Sequence, residues 1–527
     1  MFSHPLPSAL PTLKAEIADG QNFASLPSSR FQVGGAPGII AYIHSKFNFK
    51  GKKVVTMKRL WNTLGLTLFM MLAWLPAAFA DEAANAAATP TIDTGDTAFV
   101  LVSAALVMLM TPGLALFYGG MVRTKNVLST IMQSFFILGL ISVQWALWGY
   151  SLSFGPDINH FIGGLDWVGL AGVGQDPNPD YAATIPHFAF MTFQGMFAVI
   201  TAALITGAFA ERMKFTAFAV FSLIWATIVY APVAHWVWGV GGWMRDLGVL
   251  DFAGGTVVHI LSGVSGLVVA LVIGKRRGYG SEVMLPHHLP MTVIGASLLW
   301  FGWFGFNAGS ALGANGLAAS AFVTTHIAAA AATVSWVITE WLYHGKPTIL
   351  GAASGCVAGL VAITPAAGFV TPLAAIAIGL VGGILCFLAV AVLKSKVGYD
   401  DALDAFGVHG LGGTWGALAT GLFASKAVNS AGADGLFYGN PDQLTTQLIG
   451  VLVSWVFAAA MTFIILKVLG VFLKLRADEA QEIEGLDVTE HGERGYAYQD
   501  LVSGSPIGLQ ASIVSEPVVK TSLAPSK

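Results

Sequence analysis

The chain has 527 residues, of which 55% are hydrophobic and only 10% charged, with a mean hydropathy of +0.70. A soluble domain carries roughly 25% charged residues, so a chain this long and this poor in charge cannot cover itself with a water-compatible surface and belongs in lipid. The formal net charge of −3 points to no polyanionic partner, and no nucleic acid is expected to bind.

Residues Met57 to Ala80 hold the parts of a secretory signal peptide. Lys58 and Arg59 form a basic start, Leu64 to Leu75 is mostly apolar, and Ala78-Phe79-Ala80 is a small-residue exit. Residues 57–80 are therefore expected to be cleaved; a first transmembrane anchor is the competing reading, disfavoured by the short apolar core. Such a peptide begins at an initiator. Translation is thus expected to start at Met57, with residues 1–56 a non-native upstream extension of the reading frame.

Beyond Asp81, about eleven apolar stretches approach the ~20 residues needed to cross a bilayer. They begin near Thr97, Val127, His187, Phe215, Phe252, Leu289, Gly316, Thr348, Thr371, Ala402 and Leu444. This predicts an all-α polytopic membrane protein, its membrane domain spanning residues 81–474. Signal cleavage leaves the N-terminus outside, and an odd number of spans puts the C-terminus in the cytoplasm. The positive-inside rule tests this independently. Arg123, Lys125, Arg212, Lys214, Lys275, Arg276, Arg277, Lys346, Lys394 and Lys396 all fall in loops assigned to the cytoplasm, whereas the outer loops hold only Arg245 and Lys426. The long outer loop from Gly155 to Pro186 carries Asp157, Asp166, Asp176 and Asp180 without Lys or Arg; it is either a weak attractor of cations or an ordinary solvated loop.

Ionisable residues inside spans are costly and serve a pathway or pair with one another. The fifth span runs inward from Asp251 and the tenth outward from the Asp401 region. At ~1.5 Å per residue, His259 and His409 each lie about 12 Å from their own edge of a layer roughly 30 Å thick. They are expected to meet near the midplane, as they would if spans one to five and six to ten were inverted halves followed by a final helix. Each follows an aspartate, Asp251 or Asp404. His326 in the seventh span is a rival that spacing leaves open. Two touching imidazoles would share a proton and turn their other nitrogens to a lumen. Asp251 fits two compatible roles, capping the fifth helix and helping a cation electrostatically. Phe193, Phe197, Trp238, Trp303 and Phe306 are the candidate aromatics, with the hydroxyl of Ser310 a candidate acceptor alongside; spacing leaves open whether they meet. Packing explains most intramembrane aromatics, but Trp238 near an outer end can hold a cation on its face, worth about 0.5–2 kcal/mol.

No nucleophile–base constellation, phosphate loop or dinucleotide fingerprint is present, so neither an enzyme nor a cofactor is expected. Cys356 and Cys386 sit in apolar runs and read as small buried hydrophobes, not metal ligands.

The segments FQGMFAVITAALITGAFAERMKF, APVAHWVWG, DFAGGTVVHI, WFGFNAGSA, DDALDAFGVHGLGGTWGAL and EGLDVTEHGERGYAY together resemble the ammonium transporter family (Amt/Mep/Rh) on its bacterial side, in the family's order from about Thr97 to Tyr498. The resemblance implies a homotrimer in the bacterial inner membrane, with eleven transmembrane helices and one pore per subunit. By motif, Trp238, Phe197 and Ser310 match the ammonium recruitment site, and Phe197 and Phe306 the stacked gate. His259 and His409 match the twin pore histidines, Phe193 and Trp303 neighbouring aromatics of the path, and Asp251 the acidic residue below the vestibule. The implied activity is ammonium or ammonia conduction: recruitment as ammonium, deprotonation near the gate, passage past the histidines. The alternative is an ammonium sensor acting through a PII-type nitrogen regulatory protein. The tail over residues 475–527 resembles a cytoplasmic regulatory segment that meets such a partner, its distal part disordered.

Overall fold

The computed structural model describes residues 91–496. The expected upstream extension, the signal peptide and the distal tail lie outside the described residues.

The apolar helices follow in chain order as α1 (Thr94–Met121), α2 (Thr124–Phe154), α3 (His187–Phe209), α4 (Phe215–Leu247), α5 (Gly255–Ile273), α6 (Leu289–Ala308), α7 (Gly316–His344), α8 (Ile349–Ile363), α9 (Pro372–Val397), α10 (residues 406–423) and α11 (Pro441–Phe472). Among the described residues, nine of these are long and apolar enough to cross a membrane; α8 and α10 are shorter. Starts expected from sequence fall within a turn of those observed. Polar residues set them: Asp93 accepts the Asp96 amide, Asn315 those of Leu317 and Ala318, Thr348 that of Gly351. Each satisfies donors that the first helical turn leaves open.

The helices pack α1 against α6 and α3, α7 against α8 and α9, and α5 against α3, α10 and α11. Small residues permit the closest approach, as expected where apolar solvent gives helices little other reason to associate. At the α5–α10 crossing, a Cβ on Gly263 would overlap the amide nitrogen of Gly410. That crossing lies beside both His259 and His409, so two glycines determine how near the imidazoles come.

The departures from plain helix that bear on the site are a loop and three π turns. The segment between α2 and α3 is no formless loop. It folds into two short antiparallel hairpins, β1 (Asp157–Ile158) with β2 (Ile162–Gly163) and β3 (Pro177–Asn178) with β4 (Ala182–Pro186). Of the π-helical stretches among the described residues, Gly255–Ile260, Phe304–Ala308 and Phe406–Gly410 fall in α5, α6 and α10. Such turns recur at functional sites because they re-aim side chains; here they carry His259, Phe306 and His409.

The loops at the opposite end from the hairpins are held by buried ion pairs. Arg276 pairs with Asp400 at 2.8 Å and Glu211 at 3.3 Å, and Arg123 pairs with Glu211 at 2.8 Å. Burial alone would raise the Glu211 carboxyl; hydrogen bonding from Arg123 and the charges of Arg276 and Arg123 outweigh it and hold it below the usual range. The tail docks on the same end as far as it is described. Its short helix α12 (Glu479–Glu484) receives Lys125 Nζ on the carbonyls of Glu482 and Ile483, and Asp487 accepts the amides of Leu128 and Ser129 at the start of α2.

Candidate pore and vestibule

The site is built from the hairpin end inward. A cavity of about 230 Å³ opens there, walled in part by Phe197, Trp238, Ser310, Gln194, Asp180 and Arg245. The Trp238 indole N–H donates to the Asp251 carbonyl at 2.9 Å, which fixes the ring. Phe197 meets it edge-on, centroids 5.8 Å apart at 87°. Ser310 Oγ donates to the Phe306 carbonyl at 2.9 Å, so its proton is committed and its lone pairs remain for an incoming donor.

Phe197 closes the floor. Its ring stacks on Phe306 with centroids 4.3 Å apart at 28°, and both are almost fully buried. Phe197 borders the vestibule and Phe306 the next cavity, so this pair is the partition between them. Phe193 packs edge-on against Phe197 at 4.9 Å. Behind the partition lies an enclosed cavity of about 10 Å³, lined by His259, His409, Trp303, Phe306 and apolar side chains from α1 and α3. That is room for roughly one water-sized molecule. Trp303 turns its indole N–H away to Thr364 Oγ1 at 2.8 Å, and its ring stacks on His259 at 5.4 Å. The Trp303 face toward the lumen is thereby apolar.

His259 and His409 meet with Nδ1 atoms 3.3 Å apart and rings at 21°. For two neutral rings, one Nδ1 must donate and the other accept. The donor ring then offers a bare Nε2 and the acceptor ring an Nε2–H, one acceptor and one donor without a fixed charge. His259 Nε2 is buried with no protein partner. Beyond His409 a third cavity of about 40 Å³ continues to Leu403 and Asp404.

Two aspartates brace this arrangement. Asp251 accepts four successive amides, from Gly254 and Gly255 at 2.7 Å, Thr256 at 2.8 Å and Val257 at 3.2 Å. It caps the π turn that carries His259, and Gly254 at φ 114° lets the chain enter it. The aspartate that caps the π turn of His409 is Asp401, which accepts the amides of Ala405 and Phe406 at 3.1 and 2.7 Å. Asp404 instead pairs with Lys394 at 2.6 Å. The signal for Asp401 was present in the sequence, since Asp251 and Asp401 precede their histidines by the same interval. His326, the rival, is exposed on α7 beside Trp300 and Phe304 and touches none of these cavities. Gln194 is a vestibule residue that sequence reasoning missed, and Asp180 and Arg245, noted there only for their charge, are brought to the same cavity, because adjacency between distant segments is invisible to spacing.

Fold and site together define a helical membrane protein with a closed, histidine-lined path for one small molecule at a time. Residues 98–496 match the family described as Ammonium Transporter Family. An ammonium transporter of Bacillus subtilis is 60% identical over 77% of this chain and 99% of its own length. The crystal structure of Saccharomyces cerevisiae Mep2 superposes with a TM-score of 0.70 at 38% identity, covering 74% of this chain and 89% of that one. A structure titled Sensor Amt Protein matches with a TM-score of 0.69 at 30% identity, covering 75% and 98%. The chain belongs to the ammonium transporter family.

Proposed function

We propose that this protein carries ammonium across the bacterial inner membrane by recruiting the cation and passing it as ammonia. The observation that carries the reading is the stacked Phe197–Phe306 partition between an aromatic vestibule and the His259–His409 cavity. Ammonium and potassium are alike in size and charge, and a cation–π face with a hydroxyl acceptor can receive either. Behind the partition no ring of oxygens replaces a potassium hydration shell, and stripping an ion into a dry apolar space costs far more than it returns. Ammonium has a route that potassium lacks. Releasing one proton to the vestibule costs only about 1.4 kcal/mol per pH unit between its acidity and the medium, and neutral ammonia then fits the cavity. There it donates to a bare imidazole nitrogen and accepts from the other ring.

Trp238, Phe197 and Ser310 accordingly serve recruitment, Phe197 and Phe306 the gate, and His259, His409, Trp303 and Phe193 the conduction path, with Asp251 in a supporting role. We read α8 and α10 as the two spans that complete eleven, in two inverted halves plus a last helix. Three copies assemble as a trimer, with the tail in the cytoplasm offered to a PII-type regulator. A second reading, an ammonium sensor, draws on the likeness to the structure titled Sensor Amt Protein and on the docked tail; transport is the better fit to a series of cavities parted only by side chains.

The test is a solid-supported-membrane recording on proteoliposomes after ammonium and potassium pulses, alongside pH-detected ammonia flux, for wild type and the His259→Ala/His409→Ala double variant. Ammonium-specific current or flux that the double variant alters is expected. Wild-type vesicles that give neither would overturn transport in favour of the sensor.

A further inference from the structure

Two charged side chains stand in the vestibule wall, and the recruitment chemistry uses neither. Arg245 follows the turn after Trp238, and its Nη1 donates to the Trp238 carbonyl at 2.9 Å, so the backbone that carries the indole also anchors the guanidinium. Asp180 enters from the tip between β3 and β4. Among the described residues neither takes part in an ion pair, with the other or with anything else. Arg245 is also one of only two basic residues in the loops on this side of the chain.

A cation fixed in the cavity that receives a cation opposes capture. It is too exposed to serve as a structural pair, and no carboxylate among the described residues lies within ion-pair distance of it. Its effect is therefore a through-solvent repulsion, felt within about a Debye length. Conduction needs an entry site weak enough to leave as well as strong enough to fill. Trp238, Phe197 and Ser310 supply the attraction, and Asp180 adds to it. We infer that Arg245 is the affinity-setting residue of the vestibule, an electrostatic counterweight that keeps ammonium from settling too tightly ahead of the gate. This rests on the transport reading above.

The test is the KM of ammonium-evoked current, with the full chain in proteoliposomes, at about 10 mM and about 500 mM ionic strength, where the Debye length falls from roughly 30 Å to under 5 Å. Arg245→Gln is expected to lower KM about two- to five-fold at low ionic strength and to approach wild type at high. Asp180→Asn should shift KM the opposite way with the same salt dependence, and Arg245→Lys should resemble wild type. A KM in Arg245→Gln that rises, stays put, or shifts equally at both ionic strengths would overturn the inference; the last result would leave Arg245 as a mere anchor for Trp238. Wild-type vesicles without any ammonium response would instead remove the transport reading on which it stands.

Discussion

The Phe197 and Phe306 rings lie nearly parallel with centroids 4.3 Å apart, one bordering the vestibule and the other the histidine cavity. On the proposed route, whatever crosses must part them. Truncating the inner ring, Phe306→Ala, should join the two cavities and leave the vestibule's own lining intact. Osmotic shrinkage of proteoliposomes is the measurement: water permeability should rise several-fold while the KM for ammonium stays near wild type. Unchanged water permeability would mean that the barrier lies elsewhere.

The imidazoles of His259 and His409 share one hydrogen bond, so their contributions should not add. Each single change to Ala is expected to reduce ammonia flux, and the double variant should lose no more than about 0.5 kcal/mol beyond the worse single one. Fully additive losses in a double-mutant cycle would show that the rings act independently.

Asp251 holds four amides and Asp401 two. Asp251→Ala should therefore destabilise the protein by about 2 kcal/mol or more, and Asp401→Ala by less. Thermal unfolding in detergent reads this order directly. If Asp251 acted chiefly on a passing cation, flux would fall with little change in Tm.

The ion pairs at the tail end predict a direction with pH. Asp400, like Glu211, is held below its ordinary value: burial would raise it, but hydrogen bonds and charge from Arg276, with Arg212, prevail. Depressed carboxyls contribute stability that is fully present above their ordinary values of 4.5 and 3.8. It is lost as the pH falls through the native ones. Tm should thus be flat from neutrality to about pH 5 and drop below it. Arg276→Ala, which leaves two buried carboxylates without their shared partner, should cost about 3–5 kcal/mol at neutral pH.

The tail docks through many bonds, and Asp487 supplies two of them at the head of α2. Asp487→Ala should free the amides of Leu128 and Ser129 from their acceptor. Limited proteolysis should then cut residues 477–496 faster than in wild type while the helical core stays intact. An unchanged cleavage rate would assign the docking to the remaining bonds, among them those of Lys125, Asn126 and the Ile273 carbonyl.

Much of this was legible along the chain. Membrane residence follows from composition, because no arrangement of so few charges can face water. Helix starts follow from runs of apolar residues and from Asn, Thr and Asp at their heads. The depth of His259 and His409 follows from a fixed rise per residue. What the linear order could not hold is lateral. Whether His409 or His326 meets His259 depends on which helix face turns inward, and Gly263 against Gly410 settles that by close packing. Asp401 and not the nearer Asp404 caps the π turn of His409, because only a carboxylate at the right offset reaches its amides. The vestibule wall joins a hairpin, a helix end and a loop, so Asp180 and Arg245 became neighbours of Trp238 only on folding. Hydropathy and rise are local properties that a sequence carries intact, whereas a pore is an adjacency between distant segments and exists only once they pack.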